Sequence, residues 1–204
     1  MAKINGTKVT TNEVRMSYAQ VFEPKAMDGS SDAKYSVALL IPKTDTETIK
    51  YIEQAIATAA EEGKAKLGGK IPAKLKTTFR DGDEEKPDDE AYAGHYFLNC
   101  SSKTKPGVIK KASPGSGVKF EAITDETEFY SGCYGKAVVN FYAYNSNGNK
   151  GVSAGLNNLL KTNDGETFAG KANAEADFAD EFDGDDEDNF LAYLNRGLPG
   201  PLFL

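Results

Sequence analysis

Cys133-Tyr-Gly-Lys-Ala-Val-Val-Asn-Phe-Tyr-Ala-Tyr144, the turn Asn145-Ser-Asn-Gly-Asn149 and Lys150-Gly-Val-Ser-Ala-Gly-Leu156 form the stretch on which the reading of this chain turns. Part of the first segment alternates with period two, as a strand with one covered face does. Asn147-Gly148 is a strong hairpin signal, because a two-residue type I′ turn needs positive φ at both central positions. On such a strand Tyr134 and Lys136 share one face, as do Tyr142 and Tyr144, while Phe141 points the other way with Val139. One face then belongs to a core and the other is free to bind; a bulge would change the assignment.

Working outward, residues 13–22 and 34–41 read as strands, the second apolar throughout its later part as if covered on both faces. Between them runs a loop with Pro24, Gly29, Ser30 and Ser31. Thr44 with Glu47 fits a capping box, and Ile49, Ile52, Ile56 and Ala59 or Ala60 recur at helical spacing until Gly63, which predicts the one main helix. Residues 64–93 read as a long surface excursion, with Gly68-Gly69, Pro72, Pro87 and an acidic patch at 81–90. Residues 96–100 resume a strand, 101–117 read as a basic flexible loop, and 118–123 alternate again. About five strands and one helix suit a small Greek-key barrel, the oligonucleotide-binding type included, and a sandwich of similar strand content almost as well.

The net charge of −7 is a poor average. Residues 172–204 hold nine acids against Arg196 alone, so the preceding 171 residues sum to +1. The domain reading is a body over 1–171 and an acidic, disordered tail over 172–204 with an apolar tip, since the tail has too little apolar surface to repay ordering. No stretch has the roughly 20 apolar residues of a membrane helix, and the start shows no apolar run of the signal-peptide type, so a cytoplasmic protein is expected. Cys100 and Cys133 lack metal or disulfide spacing and read as buried thiols.

Catalytic signatures are missing. His95 is the lone histidine, no phosphate-loop motif occurs, and neither acidic cluster has calcium-loop spacing, so no cofactor or metal and no enzymatic activity is expected. A metal-dependent nuclease using Asp81, Asp83 and Glu84 is the weakest reading. Binding is better supported: Tyr134, Tyr142 and Tyr144 with Lys136 and Lys150 suit a stacking surface for unpaired bases, and Lys103, Lys105, Lys110 and Lys111 suit phosphates. Arg15 and Tyr18 on the first strand, and Lys34 and Tyr35 on the second, are further candidates. The rival for each tyrosine is cross-strand packing. The tail could occupy the same basic groove as a strand does and present Phe190 to partner proteins. The competing class is a protein-interaction or virion structural β domain with an acidic assembly tail.

Gly132 to Asn145, continued by Gly148 to Leu159 with its Gly155-Leu-Asn-Asn158 run and then by Asp164-Gly165, resembles a family of bacteriophage single-stranded DNA-binding proteins. Arg15 to Pro24, Lys34 to Pro42 with the following helix, and the acidic end share the resemblance. It implies an oligonucleotide-binding barrel, sequence-tolerant binding of single-stranded DNA in phage replication or recombination, and a tail contacting phage or host replication and recombination proteins through Asp183, Asp185, Asp186, Glu187, Asp188 and Phe190. A homodimer is compatible with this reading. Many tails of this kind finish at an aromatic residue, whereas this chain continues past Phe190 to Phe203-Leu204.

Overall fold

A computed structural model describes residues 1–26, 32–115, 117–146 and 148–168; the residues from Ala169 on, and with them every tail residue singled out above, lie outside the described residues, as do the loop glycine and serines at 29–31 and the turn residue Asn147. Five strands close a barrel: β3 (Val14–Lys25), β4 (Lys34–Pro42), β7 (His95–Ser102), β11 (Asn149–Asn163) and β10 (Tyr134–Ser146). β3 pairs antiparallel with β4 and β4 with β7, β7 runs parallel to β11, β11 pairs antiparallel with β10, and β10 returns to β3 through Tyr134↔Arg15 and Gly135↔Val14. The ring is therefore closed with the chain order first, second, third, fifth, fourth, the Greek-key barrel that the sequence allowed and the sandwich reading excluded.

Closure follows from the side-chain pattern. Along β10, Gly135, Ala137, Val139, Phe141 and Ala143 are buried while the intervening residues are half-buried or exposed, so alternate positions fill the barrel. Val37, Leu39 and Ile41 of β4, Leu98 and Cys100 of β7, and Val152, Ala154, Leu156 and Leu159 of β11 complete that core. Small residues at Gly135, Ala137 and Ala154 let a five-stranded barrel close around larger ones. Helix α1 (Thr46–Glu62) buries Ile52, Ala55, Ala59 and Ala60 in the same core. Its N-cap is Asp45, whose carboxylate accepts from Thr48 N–H, one residue past the expected Thr44.

The remaining elements decorate the barrel. β1 (Lys3–Asn5) and β2 (Lys8–Thr10) form a hairpin whose second strand joins β10. The expected surface excursion at 64–93 is instead largely structured: β5 (Lys76–Thr77) runs beside β11, β6 (Phe79–Asp81) pairs with β7, and α2 (Gly82–Glu85) leads to a 3-10 turn at Glu90–Tyr92 that buries Tyr92. The expected flexible loop at 101–117 likewise contains a strand, β8 (Gly107–Lys111), parallel to β11 and paired in turn with β9 (Phe120–Ala122). Both stretches are ordered by partners remote in sequence, which their own composition does not reveal. Among the described residues no helix is long and apolar enough to cross a membrane.

Candidate nucleic-acid interface

The barrel's outer surface carries a cleft of about 490 Å³ lined by Ser102, Thr104, Lys105, Asn140, Tyr142, Gly155, Leu156, Asn157 and Asn158. Three devices build it. The period-two alternation of β10 turns Asn140 and Tyr142 outward. β11 slips by one residue where Val138 faces Asn158 and Val139 faces Leu156, so Asn157 is the extra residue of a bulge and both asparagines become exposed. The bulge falls on β11, so the alternation read for β10 survives.

Glycines supply the third device. A Cβ on Gly155 would lie 3.5 Å from the Tyr142 ring and 3.4 Å from Asn140 O, so the ring lies low across the neighbouring strand with its opposite face open; 43% of Tyr142 is exposed. Gly107 makes room for Asn158, whose Oδ1 would be 2.7 Å from a Cβ there. Lys105 brings its ammonium 5.9 Å from the centre of the Phe22 ring at the cleft's border. An aromatic face, a cation and three amides thus share one open trough, a set suited to stacking a base and holding its phosphate and polar edges.

The other candidates fall elsewhere. Tyr35 pairs with Ser102 across β4 and β7, which sets Lys34, Tyr35 and Lys103 beside the cleft's end; Lys103 forms an ion pair of 2.8 Å with Asp32 and holds that carboxyl below its ordinary range. Tyr144 and Lys150 serve the hairpin's packing: Tyr144 lies against Gly151, and Lys150 Nζ donates to Leu67 O beyond α1. Lys110 is ion-paired with Glu128 and Glu121 and its ammonium is held above the usual lysine range, first by the Glu128 hydrogen bond. With Lys111 it borders a second cleft of about 700 Å³ that also includes Lys119, Phe120, Lys161 and Asp164. Lys136 stands on the outward face of β10, half-buried, between Tyr134 and Val138. Tyr134 and Tyr142 share that face but stand eight residues apart, about 27 Å along an antiparallel strand. The candidates do not form a single trough.

Arg15 and Tyr18 occupy the outer face of β3. Arg15 Nε donates to Gly132 O (3.1 Å) and Nη2 to Glu166 O (2.8 Å), with its guanidinium between the Tyr134 and Phe168 rings at 5.5 and 4.2 Å. Tyr18, 60% exposed, has a left-handed φ of 46° where the β3–β4 register slips after Ser17. Such a backbone costs about 1–3 kcal/mol in a residue with a Cβ, and here it turns a large ring into water. Lys86 lies 4.8 Å from the Tyr18 ring centre and 4.4 Å from that of Tyr92. Reading the sequence missed Lys86, masked by the acids around it, and the three cleft amides. Consecutive asparagines flanked by leucines, Leu156-Asn-Asn-Leu159, were the available signal.

The acids proposed for a nuclease are engaged. Lys43 Nζ sits 2.7 Å from both Asp81 and Asp83, and with Gly94 N–H it keeps the Asp83 carboxyl below its ordinary range. Glu84 is exposed on α2.

A closed five-stranded Greek-key barrel with an open polar and aromatic cleft on its wall defines the oligonucleotide- and oligosaccharide-binding class. Residues 7–191 match the family described as "Enterobacter phage Enc34, ssDNA-binding protein", and the chain belongs to that family. It is 34% identical over 195 residues to protein p50 of Acyrthosiphon pisum secondary endosymbiont phage 1, covering 91% of this chain and 99% of that one. Its fold is similar to that of the single-stranded DNA-binding protein from bacteriophage Enc34 in complex with ssDNA, with a TM-score of 0.68, 24% identity, and coverage of 82% of this chain and 96% of the other. The same phage protein in a second structure gives a TM-score of 0.64 at 24% identity, over 87% of this chain and 96% of that one.

Proposed function

We propose that this protein binds single-stranded DNA without sequence preference, in phage DNA replication or recombination within the host cytoplasm. The observation that carries the reading is the cleft in which the Gly155-Leu-Asn-Asn158 run, Tyr142 and Lys105 meet. A base stacks on the open face of Tyr142, Lys105 neutralises a phosphate, and Asn140, Asn157 and Asn158 offer hydrogen bonds that any base or sugar edge accepts. Lys34, Tyr35 and Lys103 extend the path past Ser102, while Arg15 and Tyr18 offer further contacts on the outer face of β3. Membership in a family described as ssDNA-binding supports the ligand class.

The acidic segment fits the same scheme. Nine carboxylates tethered to the barrel compete with DNA for its cations, and Asp183, Asp185, Asp186, Glu187, Asp188 and Phe190 recruit replication or recombination proteins once a strand displaces them. The family match reaching residue 191 takes in this segment. Titrating a labelled poly-dT strand by fluorescence anisotropy across salt, with the full chain and one ending at Lys171, tests both parts. Binding that weakens with salt, and tightens without the tail, is expected. No binding by either protein refutes the reading, and equal affinities at low salt refute the competition alone.

A further inference from the structure

A small apolar cluster outside the barrel core lies on the outer face of the second and third barrel strands, made by Leu40, Tyr92 and Phe97. In register, Arg15 of β3 faces Leu40 of β4, which faces Phe97 of β7. Phe168 packs on this cluster with its ring 4.2 Å from the Arg15 guanidinium carbon, a stacking distance. Two carbonyls, Gly132 O and Glu166 O, accept hydrogen bonds from the guanidinium and hold it at the ring.

The segment that brings Phe168 there is tightly seated at its start. A Cβ on Gly132 would stand 2.0 Å from Glu166 O, and one on Gly165 would stand 2.3 Å from Gly132 O, so the backbones touch. The Tyr130 hydroxyl meets Asp164 Oδ1 at 2.9 Å and Gly165 O at 3.0 Å. At its end the Phe168 ring packs on the cluster and on Arg15, and its N–H donates to Ser131 O at 3.0 Å.

We propose that the Arg15 face over Leu40 is a second seat for an unpaired nucleobase, closed in the free protein by the Phe168 ring. A planar aromatic ring stacked on arginine above an apolar floor reproduces what a base requires, since every base has a π-face and arginine stacks on it readily. The seat stands four residues along β4 and β7 from the Ser36↔Ser101 pair, about 13 Å at strand spacing, and Ser101 adjoins Ser102 of the cleft. Asn99 of β7 is exposed between the two, so a single strand that passes Tyr142 can reach Arg15 along β7. In barrels of this class the second and third strands are the oligonucleotide face. Phe168 must swing off Arg15 for the strand to finish that path, while Asp164 to Glu166 stay anchored.

This inference rests on the DNA-binding reading, and the two fail separately. The protein contains no tryptophan, so the full-length Phe168→Trp variant carries a single indole as reporter. Adding poly-dT, with binding followed independently by anisotropy of a labelled strand, should shift the indole emission to the red and raise its quenching by acrylamide. Phe168→Ala and Phe168→Leu should each bind poly-dT about two- to fivefold more tightly, the factor that one solvent-accessible cation–π contact represents. In an Arg15→Lys background, which keeps the charge and loses the plane, neither should gain. Binding with an unchanged or more shielded indole, or no affinity gain in either Phe168 variant, overturns the seat and leaves the cleft intact. Absence of any binding overturns the DNA-binding reading itself. Thermal melts of the two variants guard the comparison: loss of folding in Phe168→Ala but not Phe168→Leu leaves the latter as the deciding protein.

Discussion

Phe141 and Tyr142 are chain neighbours with opposite destinations, and truncating each to alanine should separate stability from binding. Phe141 is 2% exposed inside the barrel, where it belongs to the main core; Tyr142 is 43% exposed above Gly155. Removing a buried phenylalanine ring leaves a cavity and costs about 3–5 kcal/mol, a large share of the roughly 5–15 kcal/mol by which domains of this kind are stable. Tyr142→Ala removes a ring already in contact with water, so its stability should move by less than about 1 kcal/mol. Its binding should suffer instead: one base–aromatic stack is worth roughly 1–3 kcal/mol, or about a 5- to 150-fold rise in Kd for poly-dT. Urea denaturation gives the first quantity and anisotropy titration at fixed salt the second. A Tyr142→Ala protein that unfolds as readily as Phe141→Ala would show that the ring is structural, and one that folds and binds as wild type would remove the stacking platform.

Lysine roles should separate in the salt dependence. For single strands each neutralised phosphate contributes about −0.7 to the slope of log affinity against log salt, so Lys105→Ala should reduce the slope by about that amount, whereas Lys110→Ala, whose cation is committed to Glu128 and Glu121, should leave it nearly unchanged. Gly151→Ala should destabilise by about 1–3 kcal/mol, because a Cβ there would meet Lys76 O at 2.3 Å and the Tyr144 ring at 3.0 Å; Gly155→Ala, with its nearest neighbour at 3.4 Å, should melt close to wild type. The Lys43 cluster should show in acid. Since Asp83 titrates below its unfolded value, the unfolded chain binds more protons, so this contribution is present above the ordinary carboxylate pKa of about 3.9 and lost as pH falls through the depressed value. Lys43→Met should therefore flatten the fall of melting temperature between about pH 5 and pH 2, and an unchanged acid limb would contradict it.

Local signals placed most of the barrel. The alternation of β10 and the isoleucine spacing of α1 are properties of short windows, and each element stands within a few residues of its expected place. Windows could not show β8, because Gly107 to Lys111 resembles a loop until Asn158 to Lys161 of β11 lies alongside it. Nor could they show that β11 runs to Asn163: its polar second half stays in the sheet through bulges at Asn157 and Thr162, which absorb residues without breaking the pairing. Tyr142 and Lys105 were legible as binding types, but only the parallel β7–β11 crossing brings the turn after Ser102 to the hairpin.

Composition and periodicity alone determined that this is a β protein with one main helix, two buried thiols and charge segregated into its last residues, because burial and backbone preference act over a few residues at a time. Which tyrosines stay available was decided by tertiary structure. Tyr134, Tyr142 and Tyr144 share one face of one strand, yet Arg15 covers the first, Gly155 leaves the second open above it, and the third closes onto Gly151. The difference lies in residues distant along the chain, and only closing the barrel sets them beside each ring.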